Sequence, residues 1–176
     1  RPEMLLQFAR LGSAYMESVM EIKNPRVALL NNGTEETKGG ELQLAAYALL
    51  KESGLNFIGN AEARDVPGGV CDVLVADGFA GNIVLKLTEG VALNMMDMLK
   101  DIFQKNIITK LAAALVMPGL RQMKSRMDYS EYGGAPILGL QRPVIKAHGS
   151  SNAKAIKNAV RQAMAFAKAV DAEREV

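Results

Sequence analysis

The chain predicts an α/β protein, a parallel sheet wrapped by helices, and three observations predict it. Arg26-Val27-Ala28-Leu29-Leu30 and Asp72-Val73-Leu74-Val75-Ala76 are apolar without alternation, as strands covered on both faces are. The long connections between such runs have helical periodicity, which favours right-handed parallel crossovers. The strand ends also open into polar, glycine-punctuated loops that lead into helices, and ligands of open α/β sheets sit beyond those carboxyl ends.

Composition narrows the function classes. With 176 residues, 49% hydrophobic and 23% charged, the chain suits one globular domain over 1–176 with a sizeable core. A net charge of +2, 5% aromatic residues and no Trp argue against nucleic acid as a partner. The single cysteine, Cys71, sits in a strand pattern and reads as a buried, inert thiol. One Cys with one His makes no zinc cluster, and neither a metal nor a cofactor is expected. The longest wholly apolar run, Leu111 to Met117, is far shorter than the roughly 20 residues of a spanning helix, so a cytoplasmic protein resting at most on a membrane surface is expected. Arg1-Pro2-Glu3 leads straight into a helical pattern, which reads as a chain cut in the middle.

In order, helix one covers roughly Glu3 to Met20, ending before Pro25, which restricts the residue preceding it. The strand at 26–30 then runs into Asn31-Asn32-Gly33-Thr34-Glu35-Glu36-Thr37-Lys38-Gly39-Gly40, a candidate site lining or a solvent loop. Helix two, about Glu41 to Glu52, places Leu42, Ala45, Ala46, Leu49 and Leu50 inward and stops at Ser53-Gly54. Leu55 to Gly59 is a short strand, and Pro67-Gly68-Gly69 reads as a turn. The strand at 72–76 ends in Asp77-Gly78-Phe79-Ala80-Gly81-Asn82. A long helix, about Asn82 to Lys105, follows, with Lys86 able to point back at the strand ends.

Ile107 to Met127 is the least typical stretch. Ile108, Leu111, Ala112, Leu115 and Val116 form one apolar stripe that Pro118-Gly119 breaks or kinks. Lys110, Arg121, Lys124 and Arg126 accompany it with no acid among them. That pattern suits an anionic bilayer surface, a partner with an acidic face, or a helical hairpin at a subunit interface. Short strands at 137–140 and 143–147 follow, read as a hairpin or an edge pair. The only histidine, His148, then sits at a strand-to-helix corner with Gly149, Ser150, Ser151 and Asn152, any of the last three able to cap the helix. Helix N-terminus, His148, Lys146 and Lys154 together make either an anion seat or simply a capped amphipathic helix.

Several blocks carry a family resemblance: Leu29-Leu30-Asn31-Asn32-Gly33-Thr34-Glu35 with Lys38-Gly39, Asn56-Phe57-Ile58-Gly59-Asn60 with Glu62, Asp77-Gly78-Phe79 with Gly81-Asn82, Tyr132-Gly133-Gly134-Ala135-Pro136, and Lys146-Ala147-His148-Gly149-Ser150-Ser151. Collinear over essentially the whole chain, they resemble the PlsX family of phosphate acyltransferases, whose members are considerably longer. The resemblance implies a three-layer α/β/α fold akin to isocitrate and isopropylmalate dehydrogenases, a homodimer, and transfer of a fatty acyl group from acyl carrier protein to inorganic phosphate for phospholipid synthesis. It implies Lys38, Asn82 and His148 as catalytic groups. Asn31, Gly33, Glu35, Asp77, Gly78, Gly81, Gly149, Ser150 and Ser151 would line the substrates.

The resemblance further implies that 107–127 is a projecting helical tip that touches the membrane peripherally. Lys110, Leu111, Leu115, Arg121, Lys124 and Arg126 would meet membrane or carrier protein there. The chemistry needs no protein nucleophile, because a thioester is already activated and phosphate attacks by itself. Alternatives are a coenzyme A-dependent phosphate acetyltransferase-like enzyme and a non-catalytic membrane-associating module. A dehydrogenase of related fold is disfavoured, since no paired aspartates at metal-ligand spacing and no GxGxxG after a strand occur.

Overall fold

The computed structural model describes residues 1–127, 133–149 and 151–174, with side chains described outside 121–127 and 169–174. The chain divides into two compact units, one of Arg1–Leu85, Leu138–Arg142 and Ala165–Val176, the other of Lys86–Ile137 and Pro143–Met164. Both are α/β in content, and the parallel sheet lies in the first.

In the first unit, α1 (Pro2–Ser18) starts with proline at its first position, where the missing N–H costs nothing, and with Glu3 facing the dipole. Glu21 and Asn24 then adopt positive φ, so the chain leaves the helix before the buried Pro25 rather than at it. Strand β1 (Val27–Asn31) is buried over its first four residues, as its unbroken apolar run requires. It is the middle of a parallel three-stranded sheet ordered β2-β1-β3, with β2 at Phe57–Glu62 and β3 at Val73–Val75. Val73 and Leu74 are only half-buried, because β3 is an edge strand.

Helix α2 (Glu41–Lys51) and α1 pack on each other, α1 against β3 and α2 against β1 and β2. Leu5, Ala9, Val27, Leu29, Ala46, Leu50 and Val75 form the core between them. Burying a side chain such as Leu50 completely contributes about 1.5–3 kcal/mol. The expected turn at Pro67 lies inside a single 3-10 stretch, Ala63–Gly68, which Gly69 ends at φ +72°.

The β1–β2 register is irregular. Val27 pairs with Phe57, but Leu29 pairs with Asn60, so β2 carries one extra residue, and Gly59 stands there at φ +98°. From the bulge onward Asn60, Ala61 and Glu62 face Leu29, Leu30 and Asn31. The strand expected at 55–59 is therefore displaced towards the carboxyl side.

Helix α3 (Gly78–Gln104) begins in the first unit and runs on in the second. Helix α4 (Ile107–Met127) starts with a reciprocal cap: Thr109 N donates to Asn106 Oδ1 at 3.0 Å and Asn106 N donates to Thr109 Oγ1 at 3.1 Å. Pro118 lies inside α4 and does not end it, so of the two outcomes expected at Pro118-Gly119, a break or a kink, the break does not occur.

The expected strands at 137–140 and 143–147 reduce to a short antiparallel pair, β4 (Ala135–Pro136) with β5 (Ile145–Lys146), which Ile137 N extends by donating to Val144 O at 2.8 Å. Glycine sets this place: a Cβ on Gly133 would lie 2.1 Å from Ala159 N, and one on Gly134 2.7 Å from Lys146 O. Asp128 to Tyr132 fall outside the described residues. Helix α5 (Ala153–Arg174) closes the described chain. No described helix is long and apolar enough to cross a membrane.

Candidate active site at the carboxyl ends of the sheet

Because β1 and β3 are adjacent and parallel, with Leu29 opposite Val75, their loops leave the same edge of the sheet. Asn31 and Asp77 each lie two residues beyond that pair, and Glu62 faces Asn31 from β2. Adjacent strands are about 4.8 Å apart, so this edge gathers polar residues from three strand ends.

The β1–α2 loop is held at several points. Asn31 Nδ2 donates to Lys38 O at 3.0 Å, while its Oδ1 accepts from Asn32 N at 2.9 Å. Lys38 N donates to Glu35 O at 3.1 Å, and the same carbonyl accepts from Asn60 Nδ2 at 2.8 Å. Gly40 N donates to Gln43 Oε1 at 3.2 Å where α2 begins. Gly39 has φ +93°, and a Cβ there would meet Asn31 Oδ1 at 2.7 Å.

Gly33 is buried beneath two charged side chains, since a Cβ on it would lie 2.8 Å from Lys38 Cγ and 2.9 Å from Glu35 Oε2. Lys38 is exposed, its ammonium 4.0 Å from Glu35 Oε1. Behind the loop, Lys51 Nζ reaches both oxygens of Glu36 at 3.0 Å. The Lys51 hydrogen bond first and the Tyr47 hydrogen bond second hold the Glu36 carboxyl below its ordinary range. Burial first, then Glu36, pushes the Tyr47 phenol up.

At the end of β3, Asp77 Oδ1 accepts from Phe79 N and Ala80 N, both at 2.9 Å, and so caps α3. Gly81 N donates to Asp77 O at 2.9 Å, and Asn82 is exposed just beyond the first turn. Gly78 has open space where a Cβ would stand. Lys86, one turn later, pairs with Glu89 at 3.4 Å. Cys71 is half-buried, and burial pushes its thiol up.

The structure thus brings Asn31, Gly33, Glu35, Lys38, Asp77, Gly78, Gly81 and Asn82 to one edge of one sheet. His148, Gly149 and Ser151 belong to the other unit, at the corner between β5 and α5. There Ser151 N donates to His148 O at 3.0 Å, and Asn152 Oδ1 accepts from Ala155 N at 2.9 Å, so Asn152 caps α5. Ser151 Oγ is buried with no hydrogen-bond partner, and Gly149 is exposed with open space around its Cα. Ser150 lies outside the described residues. Among the described residues no three His, Cys, Asp or Glu side chains gather as metal ligands.

On α4, Lys110 is exposed, as are Leu111 (67%) and Leu115 (85%). Arg121, Lys124 and Arg126 fall on its last turns, where side chains lie outside the described residues. Met96, Leu99 and Phe103 of α3 and Ala113, Met117 and Leu120 of α4 line an open groove of about 290 Å³.

Reasoning from the sequence did not single out Asn60, Gln43 or the Tyr47-Glu36-Lys51 group as site residues. A signal existed for Asn60: an amide inside an otherwise strand-forming run is out of place unless it has a partner.

The family model described as fatty acid synthesis protein matches residues 1–174. The chain is 55% identical over 166 residues to the phosphate acyltransferase of Alkaliphilus oremlandii, covering 94% of this chain and 50% of that one. It is 55% identical to that of Brevibacillus brevis over the same shares, and 54% identical over 162 residues to that of Thermoanaerobacter pseudethanolicus, covering 92% and 49%. The chain spans about half the length of these relatives. An exposed lysine held over a buried glycine at the carboxyl edge of a parallel sheet thus occurs in a chain that belongs to the fatty acid synthesis protein family, the family of the PlsX phosphate acyltransferases.

Proposed function

We propose that this protein moves a fatty acyl group from acyl carrier protein to inorganic phosphate, giving an acyl phosphate for phospholipid synthesis. The observation that carries the reading is the β1–α2 loop, which lays the Lys38 side chain over Gly33 at the sheet edge where Asp77 caps the start of α3. A hydrogenphosphate oxygen attacks the thioester carbonyl carbon, the C–O bond forms, and the oxyanion collapses as the C–S bond breaks. The proton of hydrogenphosphate goes to the leaving thiolate, so the reaction balances without a cofactor.

In this reading Lys38 holds phosphate and Asn82 polarises the carbonyl. His148, with the Gly149–Ser151 backbone, contributes to phosphate or relays the hydrogenphosphate proton to the thiolate. The reading carries with it the three-layer dehydrogenase-like fold, a homodimer, and a cytoplasmic protein held peripherally at membranes by an α3–α4 hairpin. The exposed Leu111 and Leu115 beside Lys110 support the last of these.

The test is thiol release from acyl carrier protein thioester with and without phosphate, run on this chain and on a chain of its relatives' full length. Release that depends on phosphate is expected; release indifferent to phosphate, or none from the longer chain, removes the acyltransferase reading. Coenzyme A thioester as the better donor would favour the phosphate acetyltransferase-like alternative. For the membrane, Leu115→Glu should reduce co-sedimentation with anionic vesicles, and unchanged binding would refute it.

A further inference from the structure

We propose that Asn60, on β2, is a positioning residue that fixes Lys38 for the phosphate, and that the Gly59 bulge is the device that aims it. The inference rests on the reading of Lys38 as the phosphate-holding group. Asn60 is 9% exposed, in a strand whose next residue, Ala61, is wholly apolar. Its Nδ2 donates at 2.8 Å to Glu35 O, the same carbonyl that receives Lys38 N at 3.1 Å. Asn31 of the neighbouring strand holds Lys38 O at 3.0 Å. The backbone of Lys38 is therefore fixed on both sides of its Cα, by Asn31 directly and by Asn60 through Glu35.

The Asn60 amide has one sensible orientation. Turned over, its oxygen would face the Glu35 carbonyl, setting two acceptors against each other. In the orientation present, Oδ1 is buried without a hydrogen-bond partner, a costly condition that an apolar residue would relieve. The contact to the loop is what the amide supplies in return. Without the extra residue in β2, Gly59 would face Leu29 and Asn60 would stand in the next pleat, pointing to the other side of the sheet.

The experiment compares Asn60→Ala, Gly59→Ala and Lys38→Ala in the protein extended to its relatives' full length, measuring KM for phosphate, KM for the acyl donor, kcat and thermal melting. Asn60→Ala is expected to raise the phosphate KM about tenfold or more, leaving the donor KM unchanged and kcat within about threefold, because it moves a binding group and not the reacting bond. Gly59→Ala, at φ +98°, should reproduce that pattern, and Asn60→Ser, which keeps a hydroxyl donor, should recover part of it. Amide exchange on the 176-residue chain should quicken in Asn60→Ala at Lys38 and its loop neighbours, with the helices unchanged.

If Asn60→Ala melts early, Asn60→Ser and Gly59→Ala carry the same comparison. An unchanged phosphate KM in the Asn60 and Gly59 variants, alongside loss of activity in Lys38→Ala, overturns the positioning role alone. Full activity in Lys38→Ala overturns the site reading, and this inference with it.

Discussion

The two ends of the one parallel sheet are built on different principles. At the amino end, charge closes on charge: Arg26 Nε donates to Asp72 Oδ2 and its Nη2 to Asp72 Oδ1, both at 3.0 Å, while Nη2 also reaches Gly69 O at 3.1 Å. Arg26 N adds a bond to Asp72 Oδ2 at 2.8 Å, and Asn56 Nδ2 ties Asn24 O at 2.9 Å. At the carboxyl end charge pairs also occur, Glu36 with Lys51 and Glu62 with Arg64, but the backbone around Lys38 is fastened by neutral amides. Asn31 and Asn60 hold the Lys38 and Glu35 carbonyls, and the Lys38 ammonium comes only to 4.0 Å from Glu35. A bidentate fork satisfies the charge it uses. Amide fastening positions a charge without neutralising it, which is what an anion-binding edge needs.

The sharpest way to break the contrast is Lys38→Ala, expected to lower phosphate-dependent thiol release by about 100-fold or more with melting unchanged. Gly39→Ala comes next. With φ +93° and a Cβ 2.6 Å from Gln43 Cβ, the loop must rearrange, at a cost of about 1–3 kcal/mol in urea unfolding and a matching rise in phosphate KM.

The amino end should respond to pH instead. The Arg26 guanidinium holds the Asp72 carboxyl down at about 2, from an ordinary 3.8. A depressed folded value means stability that is present above about pH 4 and is lost as pH falls towards 2. Asp72→Asn should therefore be less stable than the parent at neutral pH and converge with it near pH 2, while phosphate KM stays put. Denaturation curves across that range check it. The smallest effect belongs to Tyr47→Phe, which removes only the phenol that supports Glu36; a slight loosening of the loop in amide exchange is expected, and no change in kcat.

Much of this was legible in the chain. Unbroken apolar runs identify β1 and β3, and 3.6-residue periodicity gives α2, α3 and α4 within a few residues, because an apolar stripe at that spacing marks one face of a helix. The glycine-punctuated loop marks a candidate site lining, and Lys38 within it is singled out by the family resemblance alone. What stayed hidden depends on partners distant in sequence. Polar Asn60 and Glu62 masked the true extent of β2, since their places follow from the β1 register and not from local pattern. The β4–β5 pair follows from glycines that admit α5 and β5 against the backbone. At Pro118 the sequence left a break and a kink open, because a lone proline does not say whether the helix continues past it.

The extra residue in β2 works as a phase shifter. Upstream of Gly59 the strand is in step with the hydrophobic interior, and downstream it is half a cycle out, so a polar group is delivered to the working edge while the core pattern behind it is undisturbed. Insertions or deletions of one residue between Phe57 and Asn60 are therefore far more disruptive than their size implies. Engineering of this chain should treat that interval as a calibrated length, and not as a tolerant stretch of strand.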